Sequence, residues 1–217
     1  VPLCGTCLSD LNPIEPPACH QCSRPLGADT EETPSRFDDY VICGDCRTRE
    51  LEMEATVAGF EYRERMGQII ADWKFAGHEE WGAWLGKCLA EQVEGRVDPV
   101  RFDRIQSIPL HDQRLEERGF NQASQLADGL AEQWGIPRAD DLRKIRQTPD
   151  QVDLSREERM ENLRDAFSVP DSTDLSGEHV LVVDDIFTTG STLRSAAREL
   201  QAAGADAVTA VVLARAV

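Results

Sequence analysis

The chain has 217 residues, 41% hydrophobic and 29% charged, with a formal net charge of −17. That length suits one sizeable domain with a small appendage, and the composition excludes a disordered or fibrous chain. The acidity argues against generic binding to a nucleic-acid backbone, which needs a basic footprint, and no apolar run nears the roughly 18 residues of a membrane span. The first residues lack the basic and then apolar pattern of a signal peptide, so a cytoplasmic location is expected.

The first 50 or so residues carry little periodic apolar pattern, and such a segment needs a staple to fold. It has three Cys-x-x-Cys pairs: Cys4/Cys7, Cys19/Cys22 and Cys43/Cys46. A Cys-x-x-Cys turn brings two thiolates to one tetrahedral ion, and two such turns close a structural zinc site. The spacing between Cys19/Cys22 and Cys43/Cys46 suits a zinc ribbon, and Cys4/Cys7 with Cys19/Cys22 is also feasible. Six cysteines cannot fill two four-cysteine sites, so one pair is left over unless His20 or a residue upstream contributes. A redox pair normally opens a helix after a strand, and the sequence predicts no such setting for these three.

A cysteine-rich unit over 1–52 and a second domain over 53–217 are expected. Residues 56–62 read as a strand. Residues 65–77 read as a helix stopping at Gly77, and 79–95 as another, with Cys88 among Trp81, Trp84, Leu85 and Leu89 as a core residue. Residues 102–110 read as a strand reaching Pro109. The following helix presents Phe120, Ala123, Ala127, Leu130 and Trp134 at core spacing. A strand over 141–145 comes next, then a mobile polar loop over 146–158 that leads into a short helix. His179 to Asp185 is a buried strand. The helix after Gly190 buries Leu193, Ala196, Ala197 and Leu200, and 206–214 is a final strand. This alternation predicts an α/β fold with a mainly parallel sheet flanked by helices.

The informative stretch is "VLVVDDIFTTGSTL", residues 180–193. Ligands of open α/β sheets bind where strands end and helices begin. A small, hydroxylated turn there aims backbone N–H groups at an anion, and the next helix adds its positive end. Thr188, Thr189, Gly190, Ser191 and Thr192 suit a phosphate. Asp184 and Asp185 suit a diol or a Mg²⁺ ion. Together they describe a ribose 5-phosphate. A P-loop is excluded because no lysine follows Gly190. A receiver domain is excluded because its acidic pair belongs to the first strand, not a late one.

"VLVVDDIFTTGST" resembles the phosphoribosyl-pyrophosphate signature of type I phosphoribosyltransferases. "WKFAGH" (73–78), "IPLHDQRLEERGFNQA" (108–123), "QVDLSREERMENLRDAF" (151–167) and the cysteine segment resemble the ComF-type competence proteins of that superfamily. The resemblance implies a type I phosphoribosyltransferase-like domain after a small zinc ribbon. It implies that Asp184 and Asp185 hold the ribose hydroxyls, and that residues 188–192 hold the 5-phosphate. Pro109, Leu110 and His111 take the place of the pyrophosphate loop. Arg114 and Arg118, one helical turn apart, offer two guanidinium forks to the leaving group. Ser155, Arg156, Arg159 and Asn162 match a catalytic loop that closes over the cofactor, so Arg156, Arg159 and Asp185 are the candidate catalytic residues. Structural Zn²⁺, and Mg²⁺ with phosphoribosyl pyrophosphate, are the implied cofactors. The acceptor is unknown. A DNA-uptake helicase, single-stranded DNA or a second copy in a homodimer are the implied partners. The competing reading is a binding module that senses phosphoribosyl pyrophosphate without turnover.

Overall fold

The computed structural model describes residues 10–27, 35–37, 40–48, 52–146 and 166–216. In chain order, β1 (Ser35–Phe37) and β2 (Tyr40–Ile42) form a hairpin, followed by the one-turn α1 (Gly44–Arg47). The larger part contains β3 (Ala55–Glu61), α2 (Glu64–Phe75), α3 (Trp81–Gln92), β4 (Arg104–Ser107), α4 (Asp112–Arg118) and α5 (Gln122–Trp134). It continues with β5 (Arg138–Ala139), β6 (Arg143–Lys144), β7 (Phe167–Ser168), β8 (His179–Phe187), α6 (Ser191–Ala202) and β9 (Ala207–Arg215). The main sheet has the order β3-β9-β8-β4-β5, with every pairing parallel.

Parallel sheets are covered on both faces, so central strands read as continuous apolar runs. In β8 the alternation sends Leu181 and Val183 to one face and Val180 and Val182 to the other. The first face packs on α2, α3 and α5 through Trp73, Leu85, Leu89, Leu126 and Leu130. The second packs on Leu193, Ala196, Ala197 and Leu200 of α6 and on Cys19, Cys22, Cys43 and Cys46. The cysteine cluster is therefore continuous with the core of the sheet. It also shields the edge strand β3, where Thr56 N–H donates to the His20 carbonyl and Ala58 N–H to Ser23 Oγ, both at 2.9 Å. An unpaired edge would otherwise expose a row of backbone groups.

Helices α3 and α5 cross closely because Gly86 and Gly129 face each other. A Cβ on Gly86 would lie 2.4 Å from the Leu126 carbonyl oxygen, and one on Gly129 would lie 2.4 Å from that of Ala83. Two expectations need correction. The helix after Pro109 is two helices, broken at Gly119, whose φ of 85° places it in the left-handed region that glycine tolerates. Residues 141–145 contribute only β6, which pairs antiparallel with β7 outside the main sheet. The edge of the main sheet opposite β3 is β5, too short to show a period-two pattern. The polar loop, apart from Arg146, lies outside the described residues. No helix among them is long and apolar enough to cross a membrane.

Candidate functional site

Strands β4 and β8 run side by side, with Ser107 opposite Val183, and Ile108 N–H donates to the Val183 carbonyl at 2.9 Å. This register brings the segment 108–111 out beside Asp184 and Asp185. Asn121 fastens that segment from behind: its side-chain amide donates to the Ile108 carbonyl at 2.9 Å, and its oxygen caps α5 by accepting from Ala123 N–H at 3.1 Å. Asn121 is thus a positioning residue for the segment that follows β4. Pro109, Leu110 and His111 are half-buried. His111 is the N-cap of α4, its ring nitrogen accepting from Gln113 N–H at 3.4 Å.

Both aspartates belong to β8 and are half-buried. Desolvation, then the neighbouring Asp185 charge, push the Asp184 carboxyl up to about 8. The Asp185 N–H donates to Asp184 Oδ1 at 2.9 Å, and Lys74 from the last turn of α2 pairs with Asp185. Nothing in the local sequence assigns Lys74 a role. It is a lysine after a buried tryptophan, and only the tertiary fold brings α2 to this strand end.

The turn after Phe187 enters α6 through Gly190, whose φ is 74°. A Cβ there would also lie 2.5 Å from Phe187 Cζ. Gly190, the N-cap of α6, has no side chain to cap the helix, and Thr189 Oγ1 accepts from the Ser191 N–H at 3.4 Å. The Thr189 hydroxyl also meets Ser191 Oγ at 2.9 Å, and Arg194 donates to the Thr189 carbonyl at 2.9 Å. Backbone N–H groups and clustered hydroxyls at a helix start are suited to a phosphate. Thr188 is exposed, while Ser191 is buried.

Arg114 and Arg118 lie together with Lys74 in a groove of about 370 Å³, whose lining among the described residues carries these three basic groups against the one carboxylate of Glu117. Arg118 donates to Gln122 Oε1 at 2.7 Å and sits 5.4 Å above the Phe75 ring. Phe120 lines the same groove and packs on the core. A concentration of positive charge on so acidic a chain suits a polyanion. Arg156 and Arg159, with Ser155 and Asn162, lie outside the described residues, as do Cys4 and Cys7.

The thiols of Cys19, Cys22, Cys43 and Cys46 are all buried and lie within 4.8 Å of one another. Cys22 Sγ and Cys43 Sγ are 3.8 Å apart, the separation that four sulfurs at about 2.3 Å around one tetrahedral ion require. Cys43 does open a helix after a strand, contrary to expectation, but its partners make it half of a closed four-thiol set. His20 is not part of that set; it stacks on Tyr40 at 4.0 Å, and burial lowers its pKa. Hydrogen bonds from Cys19 and Cys46, with the charge of Arg215, pull the Cys22 thiol far below its ordinary range. The hydrogen bond with Cys22 pushes the Cys19 thiol up to about 11. Buried Arg215 donates to the Cys22 carbonyl at 2.7 Å and covers the Phe187 ring at 5.4 Å. Cys88 is half-buried, and burial pushes its thiol up to about 11, so it is an unreactive packing residue.

Comparison with known proteins agrees with this layout. Residues 115–216 match the family model for a phosphoribosyl transferase domain, and residues 1–49 match that for a double zinc ribbon domain. The DNA utilization protein YhgH of Escherichia coli (strain K12) is 30% identical over 217 residues, spanning 95% of this chain and 93% of that protein. The chain belongs to the ComF-type competence protein family. Other similar ComF-type proteins are competence protein F of Haemophilus influenzae, at 28% identity over 99% of this chain and 90% of its own, and ComFC of Bacillus subtilis, at 29% over 90% and 76%. Among solved structures, the glutamine phosphoribosylpyrophosphate amidotransferase from B. subtilis is 27% identical with a TM-score of 0.41 over 60% of this chain. This ComF-type chain spans only a quarter of that enzyme's length. A purine phosphoribosyltransferase from Pyrococcus horikoshii is 20% identical, with a TM-score of 0.36 over 63% of this chain and 75% of its own. The ComF-type fold here is a phosphoribosyltransferase-like sheet joined to a four-cysteine cluster that fits a structural zinc ion.

Proposed function

We propose that this ComF-type protein binds phosphoribosyl pyrophosphate with Mg²⁺ across the carboxyl edge of its sheet and transfers the phosphoribosyl group in a DNA-uptake context. The observation that carries the reading is the juxtaposition of three chemically different subsites: the acidic pair, the hydroxylated turn into α6 and the basic groove. Asp184 and Asp185 hold the ribose diol or the metal. The donor set fits a divalent cation, since adjacent carboxylates are costly to charge without one. Bound there, Mg²⁺ would neutralise charge on the diphosphate. Residues 188–192 hold the 5-phosphate through backbone N–H groups and hydroxyls. Pro109, Leu110 and His111 shape the pyrophosphate loop, and Arg114 and Arg118 face the departing diphosphate. Arg156 and Arg159 add positive charge at the departing diphosphate, which favours bond breaking at C1 of the ribose as the sugar becomes oxocarbenium-like.

A second reading, a sensor that binds without turnover, has one observation in its favour. His111 is committed to capping α4 and offers no evident general base for an acceptor. Competence-named relatives support the DNA-uptake context, while the charge of −17 disfavours direct binding to DNA. Titration calorimetry with phosphoribosyl pyrophosphate and Mg²⁺ tests the site. Wild type should bind, and Asp185→Asn should bind at least tenfold more weakly; equal affinity, or no binding by either, would overturn the assignment. Pyrophosphate release measured over a panel of bases then separates enzyme from sensor.

A further inference from the structure

Lys74 stands between two subsites of opposite charge. Its ammonium pairs with Asp185, and the two side chains are 17% and 14% exposed. The same lysine lines the groove that holds Arg114 and Arg118. Its backbone is anchored: Trp73 is fully buried and its indole N–H donates to Gln125 Oε1 at 2.9 Å. Past Phe75 the chain turns away through Gly77, whose φ is 81°. Only the four-carbon lysine stem is left to move, and it can carry the ammonium a few ångströms without disturbing α2.

An ammonium in contact with Asp185 occupies space that a divalent cation or a sugar diol would need. A metal ion and an ammonium on one carboxylate also repel each other. We propose that Lys74 is a two-position cation. In the ligand-free chain it neutralises Asp185. When a cation or diol takes that carboxylate, Lys74 turns into the groove and adds a third positive charge beside Arg114 and Arg118, where it holds the diphosphate. Occupation of the acidic pair thereby strengthens the anion subsite. This inference rests on the site assignment made above.

The test uses the full-length, zinc-loaded chain and compares wild type with Lys74→Met, which keeps the apolar stem. Mn²⁺ alone is titrated first, followed by inorganic pyrophosphate with Mg²⁺. The Met variant should bind Mn²⁺ at least tenfold more tightly, an increment that must vanish in Lys74→Met/Asp185→Asn. It should bind pyrophosphate at least tenfold more weakly. Lys74→Gln serves as a second variant should the Met chain fail to fold. Mn²⁺ affinity that is unchanged, weaker or absent in both proteins overturns the competition, and unchanged pyrophosphate affinity overturns the movement. Failure of wild type to bind phosphoribosyl pyrophosphate would sink the functional assignment alone, because the Mn²⁺ comparison would still decide the role of Lys74.

Discussion

Asp184 carries the clearest consequence at the scale of single residues. Its carboxyl is raised to about 8 by desolvation and by Asp185, against about 3.9 in an unfolded chain. The folded protein therefore holds this proton more tightly than the unfolded one. The stability it confers is complete below about pH 4 and is lost as pH rises through about 8. Asp184→Asn keeps the shape and removes the titration. In metal-free buffer its melting temperature should exceed that of wild type at pH 8–9, with the gap closing towards pH 4; parallel melting curves would refute this. The pairing of carboxylates with a hydroxylated turn was legible in the motif. That one carboxylate would meet a lysine was not, because Lys74 and Asp185 are distant in sequence and meet only through the packing of α2.

The decisive features among the elements are the places where backbone must bend or approach closely. Gly190 combines a left-handed φ with a Cβ path blocked by Phe187. Gly190→Ala should cost at least about 1–2 kcal/mol of stability, the penalty of a left-handed alanine, measured by urea unfolding. Phosphate binding at the turn should fall with it, since the N–H groups of α6 would be re-aimed. An alanine variant with unchanged stability and affinity would show that the turn tolerates another shape. The 3.6-residue pattern located α5 and α6 because each buries a full apolar stripe. It merged α4 with α5 because α4 buries no residue of its own, so its end is marked by Gly119 alone. β5 and β6, two residues each, are too brief to leave a periodic trace.

Across the whole molecule, the cysteine cluster and the sheet share one core. Arg215 joins them, with one edge on Cys22 and its face on the Phe187 ring that backs Gly190. A buried tetrathiolate site carries net negative charge, and a buried guanidinium beside it offsets that charge. Structural zinc contributes on the order of 10 kcal/mol in ribbon-sized peptides, comparable to the entire stability of a domain at roughly 5–15 kcal/mol. Chelation should therefore lower the melting temperature of the sheet as well as that of the ribbon, in a single transition followed by circular dichroism. A chelated protein whose sheet melts at the wild-type temperature would show the two parts to be energetically independent.

Local chemistry sufficed for the strand–turn–helix at 180–193, the amphipathic helices and each Cys-x-x-Cys turn. Each of these depends on residues that are neighbours in the chain, so spacing alone carries the signal. Which two Cys-x-x-Cys turns meet, which strand forms the edge that the ribbon covers, and which cation faces Asp185 were decided only in three dimensions. Those choices rest on parallel strand register and on packing between segments far apart in sequence, and local spacing carries no signal of either.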